Sequence, residues 1–210
     1  MQNNKHSPST LAKVYLSAYN ISQIGGWGYI LYKTLKLSFD HHNKPKETIK
    51  GKEQTYQRIW PQTSGLMESL HCLLGLVPGS PTTPLQQSVG RMCVAYGVND
   101  FVSHSPLNAS LNVAWSVADI IRYAFYVTSL WDITPQWLTY LRYTAFLLLY
   151  PVGMASEVGL VLTALYKGRG VPQENPLAYK AFALFFFAVI VGKGYPKVLR
   201  HMLALRRAKL

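Results

Sequence analysis

Four polar residues recur along one apolar stretch of the sequence, at a spacing that places them on one side of a helix. Gln136, Tyr143, Tyr150 and Glu157 follow one another at intervals of seven residues. Because seven steps of about 100° nearly complete two helical turns, these side chains form a stripe that drifts only about 20° per interval. A tyrosine stripe alone also occurs in helix packing and in interfacial belts. A carboxyl group on the same stripe, Glu157, lies deep in an apolar segment and therefore favours a functional site over simple packing.

A second stretch, "HCLLGLVP" at residues 71–78, has the spelling of the active-site loop of a cysteine-dependent phosphatase. That chemistry needs a thiolate stabilised by a nearby cation, and an arginine that binds phosphate oxygens in a bidentate manner. Pro78 stands where the arginine belongs, and the neighbours of Cys72 are mostly Leu and Val. The sequence therefore excludes phosphatase catalysis and predicts that Cys72 is a buried structural residue near a helix end.

Further polar and charged residues fall inside apolar segments and complete the set of candidates for function. A charge at the middle of a membrane span costs roughly 2.5–3.5 kcal/mol, so such a residue needs a functional or pairing explanation. We group them as a supporting polar cluster: Glu68, His71, Arg91, Asp119, Arg122, Arg142 and Tyr143.

Two pairs within this cluster have members three residues apart, which places both members on one helical face. For Glu68 and His71 the spacing predicts a structural hydrogen bond. For Asp119 and Arg122 two interpretations stay open: an internal ion pair, or a part in orienting the catalytic residues.

Composition and charge distribution indicate a membrane protein. Apolar residues make up 49% of the chain and charged residues 14%, against about 25% charged residues in soluble domains. The net charge is +12, but the basic residues gather at 33–58 and 193–209, and residues 59–121 contain only Arg91. Charge at the edges of apolar stretches is typical of membrane flanks and not of a nucleic-acid groove. The two cysteines have no partners at zinc-ligand spacing, so no metal site is predicted.

The apolar segments predict an all-α polytopic membrane protein, with a single domain over residues 1–210 and six transmembrane helices around a buried polar cavity. Each segment is close to the ~20 residues that cross ~30 Å of hydrocarbon. Six spans place both termini on one side, but the count of basic residues does not decide which side. Trp27, Trp60, Trp131 and Trp137 lie toward segment ends, as expected of an interfacial belt. The predicted spans are about 11–36, 56–77, 84–103, 109–131, 136–166 and 177–203.

With these residues assembled, the chain resembles the 3-hydroxyacyl-CoA dehydratases of microsomal very-long-chain fatty acid elongation. These proteins are also called protein-tyrosine-phosphatase-like, because they carry the phosphatase spelling with proline in place of arginine, as "HCLLGLVP" does. The more specific match is "RYTAFLLLYPVGMASE", residues 142–157, which fits the family pattern R-Y-x-x-F-x-x-x-Y-P-x-G-x-x-x-E throughout. "WSVADIIRYAFY" and "LAKVYLSAYNISQIGGWGYILY" are similar to two further family helices. The family usually has Glu where this chain has Asp119.

The resemblance implies a six-span protein of the endoplasmic reticulum membrane with both termini cytosolic. It also implies removal of water from a (3R)-3-hydroxyacyl-CoA to give the trans-2-enoyl-CoA, with Tyr150 and Glu157 as the catalytic pair and no cofactor. The implied partners are the long-chain 3-hydroxyacyl-CoA substrate, membrane lipid and the other elongase enzymes, namely the condensing enzyme and the ketoacyl and enoyl reductases. We expect Glu157 to be the base and Tyr150 the acid, since a carboxyl group in an apolar cavity can carry a proton near neutrality. The reverse assignment, with Arg122 or Arg142 assisting deprotonation of Tyr150, stays open.

Two other classes of function compete with this interpretation. One is a non-catalytic phosphatase-like membrane scaffold that binds phosphorylated partners, although the Cys72 loop offers no arginine to bind phosphate. The other is a small transporter or channel, in which Asp119, Arg122 and Glu157 would line a permeation path. Product formation from a 3-hydroxyacyl-CoA distinguishes both from an enzyme.

Overall fold

The computed structural model describes residues 8–40, 61–97, 105–167, 181 and 183–210. Within these ranges the chain is helical and contains no strand, so the predicted all-α class is confirmed. A π-helical segment, Phe186–Gly194, leads directly into the last helix. The α-helices are α1 (Thr10–Asp40), α2 (Pro61–Leu73), α3 (Thr82–Gly97), α4 (Pro106–Leu130), α5 (Gln136–Thr144), α6 (Phe146–Lys167) and α7 (Tyr195–Lys209).

Each predicted span contains helical structure, but the second was drawn too long: its helix ends at Leu73, and the described residues 74–77 form a turn. The fourth span likewise ends one residue early, at Leu130. The fifth span divides into α5 and α6, which meet at Ala145. The remaining parts of the predicted spans, at 56–60, 98–103, 177–180 and 182, lie outside the described residues.

Hydropathy singles out one candidate membrane span among the described residues, so the predicted six transmembrane helices are not confirmed. Gln136–Tyr166 is 31 residues long with a mean hydropathy of 1.8, which is long and apolar enough to span a bilayer. The described parts of the other predicted spans do not meet the same criterion. α2 and α3 are described over only 13 and 16 residues, fewer than the ~20 that cross a bilayer, whereas polar side chains dilute the longer α1 and α4.

Helix α4 lies at the centre of the fold, in contact with α1, α5 and α6. It begins where the sequence supplies start signals. Ser105 accepts a hydrogen bond from the Leu107 amide at 3.3 Å, and Pro106 occupies the first turn, where a missing N–H costs nothing. Gly159 of α6 faces Leu107 so closely that an added Cβ would lie 2.9 Å from its Cδ1 atom. The glycine therefore lets α4 and α6 pack closely enough to share one site.

The core joins apolar side chains from α1, α3, α4, α6, the π-helical segment and the helical turn just before it. Its members are Trp27, Ile30, Val94, Leu111, Trp115, Tyr123, Leu160, Val161, Ala164, Ala183 and Phe186. Trp27 is 2% exposed, so its assignment to an interfacial belt was wrong. Trp131 and Trp137 are exposed, as a belt requires, and Trp60 lies outside the described residues. Trp27 is buried because it packs in this core and against the Arg91 guanidinium, whose central carbon is 5.5 Å from the ring centroid.

Candidate active site

A cavity of about 1150 Å³ runs between the helices. It is somewhat larger than the roughly 300–1,000 Å³ of ordinary small-molecule pockets. All the residues of the predicted catalytic pair and supporting polar cluster contribute to its lining, which brings together side chains from α2, α3, α4, α5 and α6. Of the predicted stripe, Tyr143, Tyr150 and Glu157 line the cavity, whereas Gln136 does not.

Glu157 is buried and both of its carboxylate oxygens accept hydrogen bonds. The Trp115 indole Nε1 of α4 donates to Oε1 at 3.0 Å, and the Tyr195 hydroxyl of α7 donates to Oε2. Two donors from two different helices give the carboxylate a single orientation at the cavity wall. These two hydrogen bonds stabilise the negatively charged form of Glu157, which burial alone would disfavour.

Tyr150 is half-buried and lies seven residues before Glu157, on the same face of α6. Its hydroxyl donates to the main-chain carbonyl of Tyr195 at 2.7 Å, and the two tyrosine rings meet edge to face with centroids 5.8 Å apart. Tyr150 and Glu157 therefore meet the same residue of α7 but form no hydrogen bond with each other. A reacting group in the cavity could contact both.

A charge network crosses the cavity beside this pair. Asp119 of α4 forms an ion pair with Arg91 of α3, and its other oxygen is 3.1 Å from Nη2 of Arg122. Arg122 Nη2 also lies 2.8 Å from Oε1 of Glu68, which accepts a hydrogen bond from the Tyr123 hydroxyl. The predicted contact between Asp119 and Arg122 is confirmed. It is one link in a chain of two cations and two anions drawn from α2, α3 and α4.

Arg91 connects this network to Glu157. Its guanidinium carbon lies 5.3 Å from the centroid of Trp115, the residue whose indole N–H holds Glu157. A cation above an aromatic face is attracted by the ring quadrupole. The charge network and the carboxylate therefore share a packed neighbour, without a hydrogen bond between Arg91 and Glu157.

The predicted hydrogen bond between Glu68 and His71 was wrong. His71 is buried, and its Nε2 lies 3.0 Å from the Tyr15 hydroxyl of α1. The Tyr15 and Tyr19 rings also meet the imidazole edge on, with centroids at 5.5 and 4.8 Å. Glu68 has turned toward Arg122 instead, because a guanidinium is the stronger partner for a half-buried carboxylate.

The remaining members of the predicted cluster differ in their surroundings. Tyr143 is buried and packs edge on against Phe125 of α4, at 5.8 Å between ring centroids. Arg142 lines the cavity and forms no ion pair or hydrogen bond with any residue that the structure describes. Its guanidinium is thus free to meet a ligand.

Cys72 has surroundings opposite to those of a phosphatase nucleophile. It sits in the last turn of α2, where the Gly75 amide bonds back to its carbonyl at 3.1 Å. The C-terminus of a helix carries partial negative charge, which disfavours a thiolate, whereas an N-terminus would favour one. The thiol is half-buried at the cavity wall and not fully buried as the sequence predicted, because the chain leaves the helix one residue later.

Cys72→Ala is expected to leave enzyme activity within about twofold of wild type and to cost roughly 1 kcal/mol or less of stability, since only a small half-buried group is lost. Turnover and thermal unfolding of the purified variant in detergent measure the two effects. Loss of activity in a folded Cys72→Ala protein would show a chemical role for the thiol.

Metal-ligating side chains do not gather at one point of this cavity. Within the described ranges, no group of three or more His, Cys, Asp and Glu side chains is placed to hold a metal ion. The groups that the predicted pair brings to the cavity wall are a carboxylate and a phenol, and both can transfer a proton.

Comparison with known proteins supplies the family. A family model described as "Protein tyrosine phosphatase-like protein, PTPLA" matches residues 62–210, which include the cavity-lining parts of α2 to α7. The chain belongs to this family. No solved structure matches it.

Several curated dehydratases are similar to this chain over nearly its whole length. It is 34% identical over 198 residues to the probable very-long-chain (3R)-3-hydroxyacyl-CoA dehydratase of Schizosaccharomyces pombe, covering 92% of this chain and 91% of that protein. It is 34% identical over 221 residues to the very-long-chain (3R)-3-hydroxyacyl-CoA dehydratase PASTICCINO 2 of Arabidopsis thaliana, covering 96% and 95%. Dehydratase 1 of Ovis aries is 32% identical over 213 residues, covering 95% and 72%.

Sequence reasoning missed two residues of this PTPLA-family site, Trp115 and Tyr195. Trp115 lies four residues before Asp119 and therefore on the same face of α4, a signal that the sequence does contain. Tyr195 lies 38 residues beyond Glu157, in a segment with no periodic relation to the stripe. Only the packing of α7 against the cavity brings its side chain to Glu157.

Proposed function

We propose that the chain removes water from a (3R)-3-hydroxyacyl-CoA and releases the trans-2-enoyl-CoA, as the names of its relatives state for those proteins. The observation that carries the proposal is the placement of Glu157 and Tyr150 on the wall of one large cavity. This reaction requires a base and an acid within reach of one substrate and no further redox or metal chemistry. A hydro-lyase of this kind is a simple use of a carboxylate and a phenol on the wall of one cavity.

In the proposed mechanism Glu157 removes the proton at C2, next to the thioester carbonyl, and Tyr150 protonates the leaving hydroxyl at C3. The electrons of the C2–H bond form the C2=C3 double bond as the C3–O bond breaks. Water leaves with the Tyr150 proton. Proton transfer from Glu157 back to Tyr150 then restores both residues, so that no cofactor is consumed.

The hydrogen bonds around the two residues support this assignment over its reverse. Glu157 accepts from Trp115 and Tyr195, and such donors stabilise the carboxylate that a base requires. Tyr150 donates to a carbonyl, which favours the protonated phenol that an acid requires. The reverse assignment needs a cation at Tyr150. The Arg122 guanidinium is bound to Asp119 and Glu68, and among the described residues no contact joins Arg142 to Tyr150.

The composition of the cavity wall supports an amphiphilic substrate. Apolar side chains such as Leu16, Phe125 and Leu149 offer a surface for an acyl chain. Basic side chains also face the cavity, among them Lys13, Arg142 and Lys209. We place the acyl chain between the helices and the phosphates of CoA near these basic residues, since phosphate oxygens pair with guanidinium and ammonium groups.

The membrane arrangement belongs to the same proposal. We propose six transmembrane helices, residence in the endoplasmic reticulum membrane and cytosolic termini, supported by helices at the predicted positions and by the apolar stretch Gln136–Tyr166. Elongation would place the enzyme beside a condensing enzyme and the ketoacyl and enoyl reductases. Protease digestion of intact microsomes tests the topology, because tags at both termini should be removed.

Purified protein in detergent is expected to convert a long-chain (3R)-3-hydroxyacyl-CoA into the enoyl-CoA, which mass spectrometry detects as a loss of water. The (3S) substrate serves as the matched control, since one fixed pair of proton-transfer groups meets only one configuration at C3. Absence of enoyl product, together with solute flux in liposomes, would favour the transporter instead.

A further inference from the structure

Tyr195 contacts both proposed catalytic residues through two different parts of itself. Its hydroxyl donates to Oε2 of Glu157, and its main-chain carbonyl accepts the Tyr150 hydroxyl at 2.7 Å. No other described residue hydrogen-bonds to both. One residue of α7 therefore bridges the carboxylate and the phenol.

The local backbone around Tyr195 explains how it reaches both groups. Tyr195 is the first residue of α7 and follows the π-helical segment Phe186–Gly194 directly. A π-helix has an i→i+5 pattern with more residues per turn than an α-helix, so the junction changes which side chains face the cavity. Gly194 is buried, and a Cβ on it would lie 3.4 Å from Nε2 of Gln86 on α3. The chain thus approaches the cavity wall closely just before Tyr195.

Trp115 completes the support of Glu157 from the opposite helix. Its indole N–H holds Oε1 at 3.0 Å, while Tyr195 holds Oε2. With both oxygens engaged, the carboxylate cannot rotate without breaking a hydrogen bond. Among the residues that the structure describes, the ionisable groups near Glu157 are Tyr195 on α7, Tyr150 on α6 and Arg91 on α3.

We infer that Tyr195 is a positioning residue for the dehydration, whose side chain orients Glu157 and whose main-chain carbonyl orients Tyr150. This inference rests on the proposed function. Proton transfer depends on groups held within hydrogen-bond reach of the reacting atoms, and a displacement of about 1 Å can cost about 10²-fold in rate. Tyr195 acts through the two residues and needs no contact with substrate.

Tyr195→Phe keeps the ring and the main-chain carbonyl and removes only the hydroxyl. We expect kcat to fall at least ~10-fold with KM changed less than about twofold, because the lost contact orients Glu157 and does not bind substrate. The acid limb of the pH–rate profile should also move to higher pH, since a carboxylate that has lost a donor binds its proton more tightly. If Tyr195 had a purely structural role, the acid limb of the pH–rate profile would stay in place, and kcat would not fall selectively while KM stays constant.

The experiment compares the whole chain as wild type, as Tyr195→Phe and as a matched control, Tyr140→Phe, on a (3R)-3-hydroxyacyl-CoA at a series of pH values. Tyr140 is 57% exposed and outside the cavity lining, so its variant should match wild type. Tyr195→Phe is also combined with Glu157→Gln. If Tyr195 acts through Glu157, the double variant should be no slower than Glu157→Gln alone, because residues that act as a unit are non-additive.

Each outcome decides the inference. Active wild type with an unchanged Tyr195→Phe, or with additive losses in the double variant, overturns the role of Tyr195 and leaves the proposed function standing. Inactive wild type overturns both. If Tyr195→Phe lowers the melting temperature as well as kcat, its slower turnover could reflect a damaged fold. Incorporation of 3-fluorotyrosine at position 195, which keeps the hydroxyl, then tests the positioning role. Its more acidic hydroxyl is a stronger donor, so the acid limb should move to lower pH, and an unmoved limb overturns the inference.

Discussion

Glu157→Gln and Tyr150→Phe are each expected to lower turnover on a (3R)-3-hydroxyacyl-CoA at least ~10²-fold while the protein stays folded, since each change removes one of the two proton-transfer groups. Glutamine cannot act as a base, and phenylalanine cannot donate a proton. Both changes nearly conserve volume, so the cavity of about 1150 Å³ should keep its shape. Steady-state kinetics of the purified variants measure the effect.

Folding of these variants should survive for identifiable reasons. In the Glu157→Gln variant the new amide oxygen can still accept from the Trp115 indole, and the new NH₂ group can donate to the Tyr195 hydroxyl oxygen. Tyr150→Phe removes the hydroxyl that donates to the main-chain carbonyl of Tyr195, which should lower the free energy of unfolding by about 1 kcal/mol. Thermal unfolding in detergent verifies this for each variant.

Ser156→Ala is the matched control for Glu157. Ser156 is the adjacent residue, and its hydroxyl bonds to Ser110 at 2.7 Å and to the Val152 carbonyl at 2.8 Å, outside the cavity lining. Its variant should turn over substrate at close to the wild-type rate. Near-normal activity of folded Glu157→Gln or Tyr150→Phe would contradict the catalytic assignment.

The second large effect concerns the charge network. Asp119→Asn alone should lower stability by about 3–5 kcal/mol, because it removes the buried carboxylate that two partly buried cations share. Asp119 is 2% exposed in its side chain and meets both Arg91 and Arg122. Thermal and denaturant unfolding in detergent report the loss.

Two double variants test how the charges are connected. Asp119→Asn with Arg91→Gln leaves the 2.8 Å pair between Arg122 and Glu68 intact, so it should recover part of the lost stability. Asp119→Asn with Arg122→Gln leaves Arg91 and Glu68 unpaired on different helices, so it should recover less. An isolated pair of Asp119 and Arg122, as three-residue spacing alone suggests, predicts the opposite order. The double-mutant cycles separate the two arrangements.

Turnover of the same variants shows whether these charged residues only stabilise the fold or also take part in the reaction. Arg122 contacts Asp119, Glu68 and Tyr123 and neither proposed catalytic residue. We therefore expect the variant Asp119→Asn with Arg122→Gln to regain turnover to the extent that it regains stability. Arg91→Gln differs, because Arg91 packs on Trp115, which holds Glu157, so its double variant should regain stability more fully than turnover. A variant with Arg122→Gln that is stable but still slow would show that the Arg122 charge acts on the reacting groups.

The sequence by itself determined the features that depend on spacing within one helix. A period of 3.6 residues places Tyr150 and Glu157 on one face whatever the rest of the fold does, and Asp119 and Arg122 likewise. Apolar runs located the helices for the same local reason, and the pattern over residues 142–157 was specific enough to indicate the family.

Contacts between helices were decided only by the tertiary structure. Glu68 and His71 share a face, yet each takes its partner from another helix, Arg122 for one and Tyr15 for the other. Spacing gives the direction of a side chain from its own axis, whereas its partner depends on the rotation and depth at which neighbouring helices pack. For that reason no sequence pattern links Tyr195 to Glu157, 38 residues earlier in the chain. Only the packing of α7 against the cavity shows that the two residues are hydrogen-bonded.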